Sequence, residues 1–64
     1  MDKDAAKKFV AEMIESRGHL EAQAVLVRIG LGLSTVQKLL KGEYSPGKRV
    51  LAKLDSLAAA QKAS

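Results

Sequence analysis

The chain has 64 residues, enough for one small domain but near the lower size at which a single core sustains a fold without disulfides or metal. It contains no cysteine and one histidine, which excludes disulfides, thiolate zinc sites and the usual constellations for nucleophilic or metal-assisted catalysis. Eleven Lys and Arg against 7 Asp and Glu give a net charge of +4, which favours a polyanionic partner. We expect one domain over residues 1–64 that is not an enzyme and needs no cofactor.

The positive charge lies in the second half of the chain. Residues 1–27 have four basic and five acidic side chains, a balance of −1, whereas residues 28–64 have seven and two, a balance of +5. Phe9 and Tyr44 are the only aromatic residues, which weighs against modules that stack single-stranded bases on rings. No apolar run approaches the roughly 20 residues needed to cross a bilayer, and no signal-peptide pattern is present. We expect a cytoplasmic protein. Its charge does not choose between nucleic acid and an anionic membrane surface, and among nucleic acids a duplex is the better candidate.

Two amphipathic helices are predicted in the first half. The first covers residues 5–17, with Asp2 or Asp4 as N-cap and Gly18 in a left-handed position at its end. Leu20 is expected to anchor the next turn in the core, before a second helix over about residues 21–29 that Gly30 ends. The apolar stripes of these helices consist of Ala6, Phe9, Val10, Met13 and Ile14, and of Val25, Leu26 and Ile29.

The third predicted helix, residues 33–41, separates its apolar and polar residues most cleanly. At about 100° per residue, Val36, Leu39 and Leu40 form a buried seam. The opposite face has only hydrogen-bonding and basic side chains, namely Ser34, Gln37, Lys38 and Lys41. Such a face is suited to a polar, anionic partner. Leu31, in the turn before this helix, is expected to point back into the core.

A fourth helix is predicted to begin with Ser45 as N-cap and Pro46 as first residue. Its inner face consists of Val50, Leu51, Leu54, Leu57 and Ala58, and the tail from residue 59 to residue 64 is expected to fray. The sequence therefore predicts an all-α fold, a compact bundle of four short helices whose apolar stripes are all used by the core.

Residues 25–46 resemble, without gaps, the helix-turn-helix of lambda-repressor and Cro-like (XRE-type) DNA-binding domains. The likeness rests on an ordered set, Gly30, Leu31, Gly32, Ser34, Thr35, Val36, Leu39, Gly42 and Pro46. The resemblance implies a lambda-repressor-like bundle in which helix 33–41 lies in the major groove and the preceding helix crosses the DNA backbone. Regular helices, no cysteine and an alanine-rich end are also compatible with an engineered or designed member.

Carried over by position, the resemblance implies two sets of DNA contacts. Base edges would be contacted by Leu33, Ser34, Thr35, Gln37 and Lys38, and phosphates by Gln23, Lys41, Tyr44, Ser45, Lys48 and Arg49.

Two positions depart from the pattern of the family. Leu33 is apolar where members often have glutamine, so it contacts a thymine methyl or simply packs. Ala22 stands where members often have a phosphate-binding glutamine, which moves that contact to Gln23.

Three functional hypotheses follow from the sequence. The leading one is a repressor-like module that binds double-stranded DNA sequence-specifically. The second is a protein-interaction module, antitoxin-like or an adaptor, with only nonspecific DNA affinity. The third, a bundle on anionic lipid, requires exposed large apolar residues on a strongly amphipathic helix, which the stripes do not predict. We expect no membrane and no small-molecule substrate, and a monomer or weak homodimer because no dimer seam is obvious.

Overall fold

Four helices joined by short connections make up the computed structural model. They span Lys3–Arg17 (α1), His19–Arg28 (α2), Leu33–Lys41 (α3) and Lys48–Ala63 (α4). The structure describes residues 1–63, and no strand occurs among them, so the all-α prediction is confirmed. The Cα radius of gyration is 10.6 Å. A folded chain of this length is expected at about 10.7 Å, so the helices form one compact body.

α1 is the helix on which the other three pack, because each of them contacts α1 more extensively than it contacts the others. The Asp2 carboxylate caps α1 by accepting a hydrogen bond from the Ala5 amide at 2.8 Å, which satisfies one free amide of the first turn. Of the two predicted caps, Asp2 is therefore the one used. The amine of Met1 forms an ion pair with Asp55, which links the start of α1 to α4.

The core is formed entirely by apolar side chains. Its fully buried members are Ala6, Val10, Met13, Ala22, Leu26, Leu31, Val36, Leu39 and Leu54. No polar or charged residue is buried within the described part of the chain, so burial of apolar surface is the main stabilising contribution of this core. The predicted seam of α3 is confirmed, with Val36 and Leu39 buried and Leu40 half-buried.

The turn after α2 is a Schellman motif. The Gly30 amide donates to the Val27 carbonyl at 3.0 Å, and the Leu31 amide donates to the Leu26 carbonyl at 3.0 Å. Gly30 has φ +89°, a conformation that residues with a side chain rarely adopt. The motif brings Leu31 against the helix that it follows, and its side chain is 1% exposed. The prediction that Leu31 points into the core is confirmed.

α3 ends with the same motif. Gly42 lies in the left-handed region at φ +79° and ψ 12°, as its position at the predicted helix end requires. Its amide donates to the Leu39 carbonyl at 3.1 Å, and the Glu43 amide donates to the Lys38 carbonyl at 2.8 Å. Here the residue after the glycine is an exposed glutamate, so the chain leaves the core and enters the connection to α4.

The prediction that Leu20 anchors a turn in the core is wrong. Gly18, at φ +87° and ψ 160°, joins α1 directly to α2, and no turn remains for Leu20 to anchor. Within α2, Leu20 lies two residues before the buried Ala22, which places it about 200° away around the helix. Its side chain is 85% exposed. Val27 and Leu33 are also exposed, and neither was among the residues predicted to form the core.

The predicted start of α4 at Ser45 and Pro46 is wrong by two residues. α4 begins at Lys48, and the Gly47 carbonyl accepts the first helical hydrogen bond from the Leu51 amide at 3.0 Å. Gly47 therefore occupies the capping position, and Ser45 is too far upstream to cap the helix. α4 continues through most of the tail that was expected to fray and ends at Ala63, while Ser64 lies outside the described residues.

The inner face of α4 is as predicted, although most of it is only partly covered. Leu54 is fully buried, and Val50, Leu51, Leu57 and Ala58 are half-buried. Partial burial of four of these five residues means that α4 covers the core from one side and leaves part of its own apolar stripe accessible.

Candidate nucleic-acid interface

The candidate interface is the outward side of α3, the most amphipathic of the four helices. We call the exposed residues Ser34, Gln37, Lys38 and Lys41 the α3 face. Val36 and Leu39, on the opposite side of the same helix, are buried in the core and fix the position of α3. The α3 face is therefore held in one orientation relative to the rest of the protein. A side chain on such a helix keeps its position relative to its neighbours, which recognition of a spaced pattern of partners requires.

The two remaining base-contact candidates lie at the start of α3. Leu33 is its first residue and is 46% exposed. Thr35 is half-buried, at the edge between the α3 face and the core. Of the five side chains predicted to contact bases, Leu33, Ser34, Gln37 and Lys38 are thus accessible together, and Thr35 is accessible only in part.

The N-terminus of α3 has no side-chain cap. Gly32 occupies the capping position in an extended conformation, at φ −74° and ψ 170°, and makes no side-chain hydrogen bond. The Val36 amide already donates to the Gly32 carbonyl at 3.0 Å, which leaves the earlier amides of the first turn without a helical acceptor. This end of the helix therefore carries the positive part of the helix dipole beside Ser34.

Five of the six predicted phosphate-contacting residues fall in three neighbouring segments of the chain. Lys41 is at the end of α3, Tyr44 and Ser45 are in the connection, and Lys48 and Arg49 begin α4. All of these are exposed except Tyr44, which is half-buried and packs against the core. Gln23 lies apart from them on α2 and is half-buried, whereas Ala22, the position that it was expected to replace, is fully buried.

The basic side chains of this region have no acidic partners among the residues that the structure describes. The ion pair that the structure shows, within residues 1–63, joins Met1 to Asp55 and involves none of them. Lys38, Lys41, Lys48 and Arg49 are therefore unpaired, and no intramolecular ion pair has to be broken before an external anion binds.

Two surfaces were not found by sequence reasoning. One is an apolar stripe on the outer side of α2, formed by Leu20, Ala24 and Val27. Its spacing of four and three residues was visible in the sequence, but only Leu20 was considered and it was assigned to the core. The other is a groove between α2 and α4, described below. It depends on how two helices separated by α3 in the chain are placed side by side, which no local pattern indicates.

Within the described part of the chain, no three potential metal ligands lie together, and none of the helices has the length and hydropathy for a membrane span. Comparison of the chain with protein families, curated proteins and solved structures found no match.

Proposed function

We propose that the protein binds double-stranded DNA sequence-specifically, with α3 in the major groove, as a repressor-like regulatory module. The observation that carries this proposal is the α3 face, a set of exposed hydrogen-bonding and cationic side chains on a helix held from behind by Val36 and Leu39. The major groove admits one α-helix and presents a distinct donor and acceptor pattern for each base pair. A helix with this face fits that requirement.

The connection between α2 and α3 supports the same proposal. Four residues, 29–32, separate the two helices, and the Schellman turn at Gly30 fixes their relation. A short, glycine-containing turn between two helices is typical of the helix-turn-helix, in which the first helix crosses the DNA backbone and the second enters the groove. We assign α2 and α3 to these roles in a lambda-repressor-like arrangement.

Individual roles follow from side-chain chemistry. Lys38 donates to guanine O6 and N7, Gln37 pairs with adenine N6 and N7, and Ser34 donates or accepts. The exposure of Leu33 favours contact with a thymine methyl over packing in the core. Thr35 lies at the edge of the base contacts.

Phosphate contacts come from the basic residues around the end of α3 and the start of α4. Lys41, Lys48 and Arg49 are exposed and unpaired, and they neutralise phosphates with release of counterions. Tyr44, Ser45 and Gln23 complete the proposed set as polar contacts to the backbone. These contacts position the protein on the duplex and carry no sequence information.

The proposal is tested by selection of binding sites from a randomised duplex pool at two salt concentrations. The intact protein is compared with a Ser34→Ala, Lys38→Ala variant and with a Ser16→Ala, Lys8→Ala control, which makes the same two changes on α1. We expect the intact protein and the control to enrich one motif of about five to seven base pairs, the length that one major-groove helix covers together with its flanking contacts. The Ser34→Ala, Lys38→Ala variant, called the α3 variant below, should not enrich this motif.

Two results would overturn the proposal. One is the absence of any enriched motif, with binding that only weakens as salt rises. The other is enrichment of the same motif by the α3 variant, which would place recognition elsewhere. Circular dichroism of each variant establishes that the helices are intact, so loss of the motif is not mistaken for unfolding.

The second candidate function is a protein-interaction module with only nonspecific DNA affinity. The exposed stripe formed by Leu20, Ala24 and Val27 favours it, because large apolar side chains left in water on one helix face are a feature of contact surfaces. The selection experiment separates the two candidates, since this module would enrich no motif.

A further inference from the structure

A shallow groove runs along the junction of α2 and α4. It consists of two hollows of about 410 and 420 Å³ that share Leu57 of α4 and Ile29, the residue that follows α2. We call it the α2/α4 groove. None of the described residues that line it belongs to α3, so it is separate from the α3 face.

The floor of the α2/α4 groove is apolar and only half covered. Val25, Ile29 and Leu57 pack against the core, yet each is half-buried instead of buried. Ala52 and Ala60 line the α4 side with side chains too small to close the space. An apolar segment laid into this groove would remove that remaining surface from water, which is favourable.

The rim of the groove is cationic at both ends. Arg17 and Arg28 border one hollow, and Lys53 borders the other. All three side chains are exposed, and none has an ion-pair partner among residues 1–63. No aspartate or glutamate of the described chain lines either hollow. The groove therefore presents an apolar strip between positive charges.

We propose that the α2/α4 groove docks an amphipathic helix with acidic flanks from a partner protein. In this mode apolar side chains at positions i, i+3 or i+4, and i+7 enter the groove. Glutamates or aspartates beside them face Arg17 and Arg28 at one end and Lys53 at the other, so charge complementarity sets the preference for an acidic partner. The groove is open along its length, whereas small-molecule sites enclose most of the ligand surface.

The first test is a selection in which the charge of the residues flanking an apolar stripe is varied, and the preferred charge is identified from the peptides that are enriched. A display library of helical peptides carries three leucines at fixed positions i, i+4 and i+7, with glutamate, lysine or glutamine at each flanking position. The full 64-residue protein is the bait. We expect glutamate to be enriched at the flanks. Enrichment of lysine, or of nothing, overturns the proposal.

One enriched acidic peptide is then titrated against variants of the protein. The charge reversals Arg17→Glu and Arg28→Glu together should weaken binding about tenfold, because two attractive pairs become repulsive. The control, Lys7→Glu with Lys8→Glu, changes the net charge equally on the exposed side of α1 and should leave affinity within about twofold. Ser56→Trp, an exposed position in the groove wall, should block the site by filling it.

The remaining outcomes each count against the proposal. Equal weakening in the Lys7 and Lys8 control would mean nonspecific charge attraction. Peptide-induced changes in amide chemical shifts on α3 instead of at Ile29 and Leu57 would place binding elsewhere. Self-association that Ser56→Trp abolishes would identify a second copy as the occupant. Binding of phosphatidylglycerol vesicles that requires Arg17 and Arg28, without enrichment of acidic peptides, would identify lipid as the occupant.

DNA site selection by the groove variants should be unchanged.

Discussion

Leu31 and Leu20 are identical side chains at opposite extremes of exposure, 1% and 85%. The difference has a backbone cause in each case. The Schellman turn at Gly30 brings Leu31 against Leu26 in the core, while the direct junction at Gly18 places Leu20 on the outer side of α2. At the scale of the residue, position in the backbone decides whether a leucine stabilises the fold.

This difference predicts unequal effects of the same substitution. Leu31→Ala removes a fully buried side chain beside other core residues, and we expect it to lower the free energy of unfolding by about 2–5 kcal/mol. Leu20→Ala removes a side chain that is already in water and should change it by no more than about 0.5 kcal/mol. Urea unfolding followed by circular dichroism measures both.

A loss of about 2–5 kcal/mol is a large part of the stability of a domain this small. If Leu31→Ala gives no folded baseline, Leu31→Val, which removes one methylene, should cost roughly 0.5–1.5 kcal/mol and remain measurable. Equal effects at Leu20 and Leu31 would contradict the burial difference on which the account of the turn depends.

At the scale of the element, the two ends of α3 differ in whether their free backbone groups have hydrogen-bond partners. Gly42 and Glu43 complete hydrogen bonds at the C-terminus, whereas Gly32 at the N-terminus has no side chain to cap the free amides. A side chain added at Gly32 meets nothing within 4 Å, and its backbone is already extended as a cap requires. Stability and DNA binding can therefore be separated at this position.

We expect Gly32→Ser and Gly32→Asp each to raise the free energy of unfolding by a few tenths to about 1 kcal/mol, since both supply a capping oxygen. Their effects on DNA should differ. Serine is neutral, while aspartate places a negative charge beside Ser34 where the proposed duplex lies, and should weaken binding by roughly tenfold at low salt. Thermal unfolding and fluorescence anisotropy with the selected duplex measure the two quantities.

The serine variant is the control for the aspartate variant, because both add a capping oxygen and only aspartate adds a charge. If both variants bind DNA as the intact protein does, the N-terminus of α3 does not lie against the duplex. If both lose binding equally, contact with the added side chain and not its charge is responsible, and the dipole at this helix end has no part in recognition.

The sequence predicted an element boundary correctly where local backbone hydrogen bonds alone decide it, and misplaced the boundary where packing against the rest of the protein decides it. α3 was predicted at its observed bounds because Gly32 and Gly42 frame it and the Schellman ends need only glycine and backbone hydrogen bonds. The start of α4 was misplaced because Ser45 and Pro46 are a strong local signal, yet Gly47 takes the capping role where α4 meets the body of the protein. The start of α2 has no capping side chain at all, so its first residues, including Leu20, were assigned to a turn.

The same distinction holds for the candidate sites. The α3 face was predictable because one helix with a period of 3.6 residues creates it. The α2/α4 groove was not, because Ile29 and Leu57 share it only after their helices have packed on α1. Sequence periodicity identifies the faces of one helix, but it does not indicate how helices that are distant in the chain are placed side by side.

At the scale of the whole molecule, the uneven charge predicts how DNA affinity depends on salt. Residues 28–64 carry +5, and the unpaired cations Lys41, Lys48 and Arg49 lie in this half. With three phosphates neutralised by these cations, the logarithm of affinity should fall with the logarithm of salt concentration with a slope of about −3. Titrations at several salt concentrations measure the slope.

Removal of individual cations tests which of them contact phosphate. Lys48→Gln with Arg49→Gln should reduce the magnitude of the slope by about 2 and weaken binding to all sequences alike. Lys7→Gln with Lys8→Gln, on the outer side of α1, should leave the slope unchanged. An unchanged slope in the first variant would remove the start of α4 from the proposed interface.

The position of α1 at the centre of the packing has a consequence for how the protein is made. The other three helices all pack on α1, and α1 precedes them in the chain. During translation it is therefore the first of the four to leave the ribosome, and an isolated helix of this length is only marginally stable in water. The apolar stripe of α1 therefore stays in water until α2, the next helix in the chain and its most extensive packing partner, has been made, and the core is complete only when Leu54 of α4 follows.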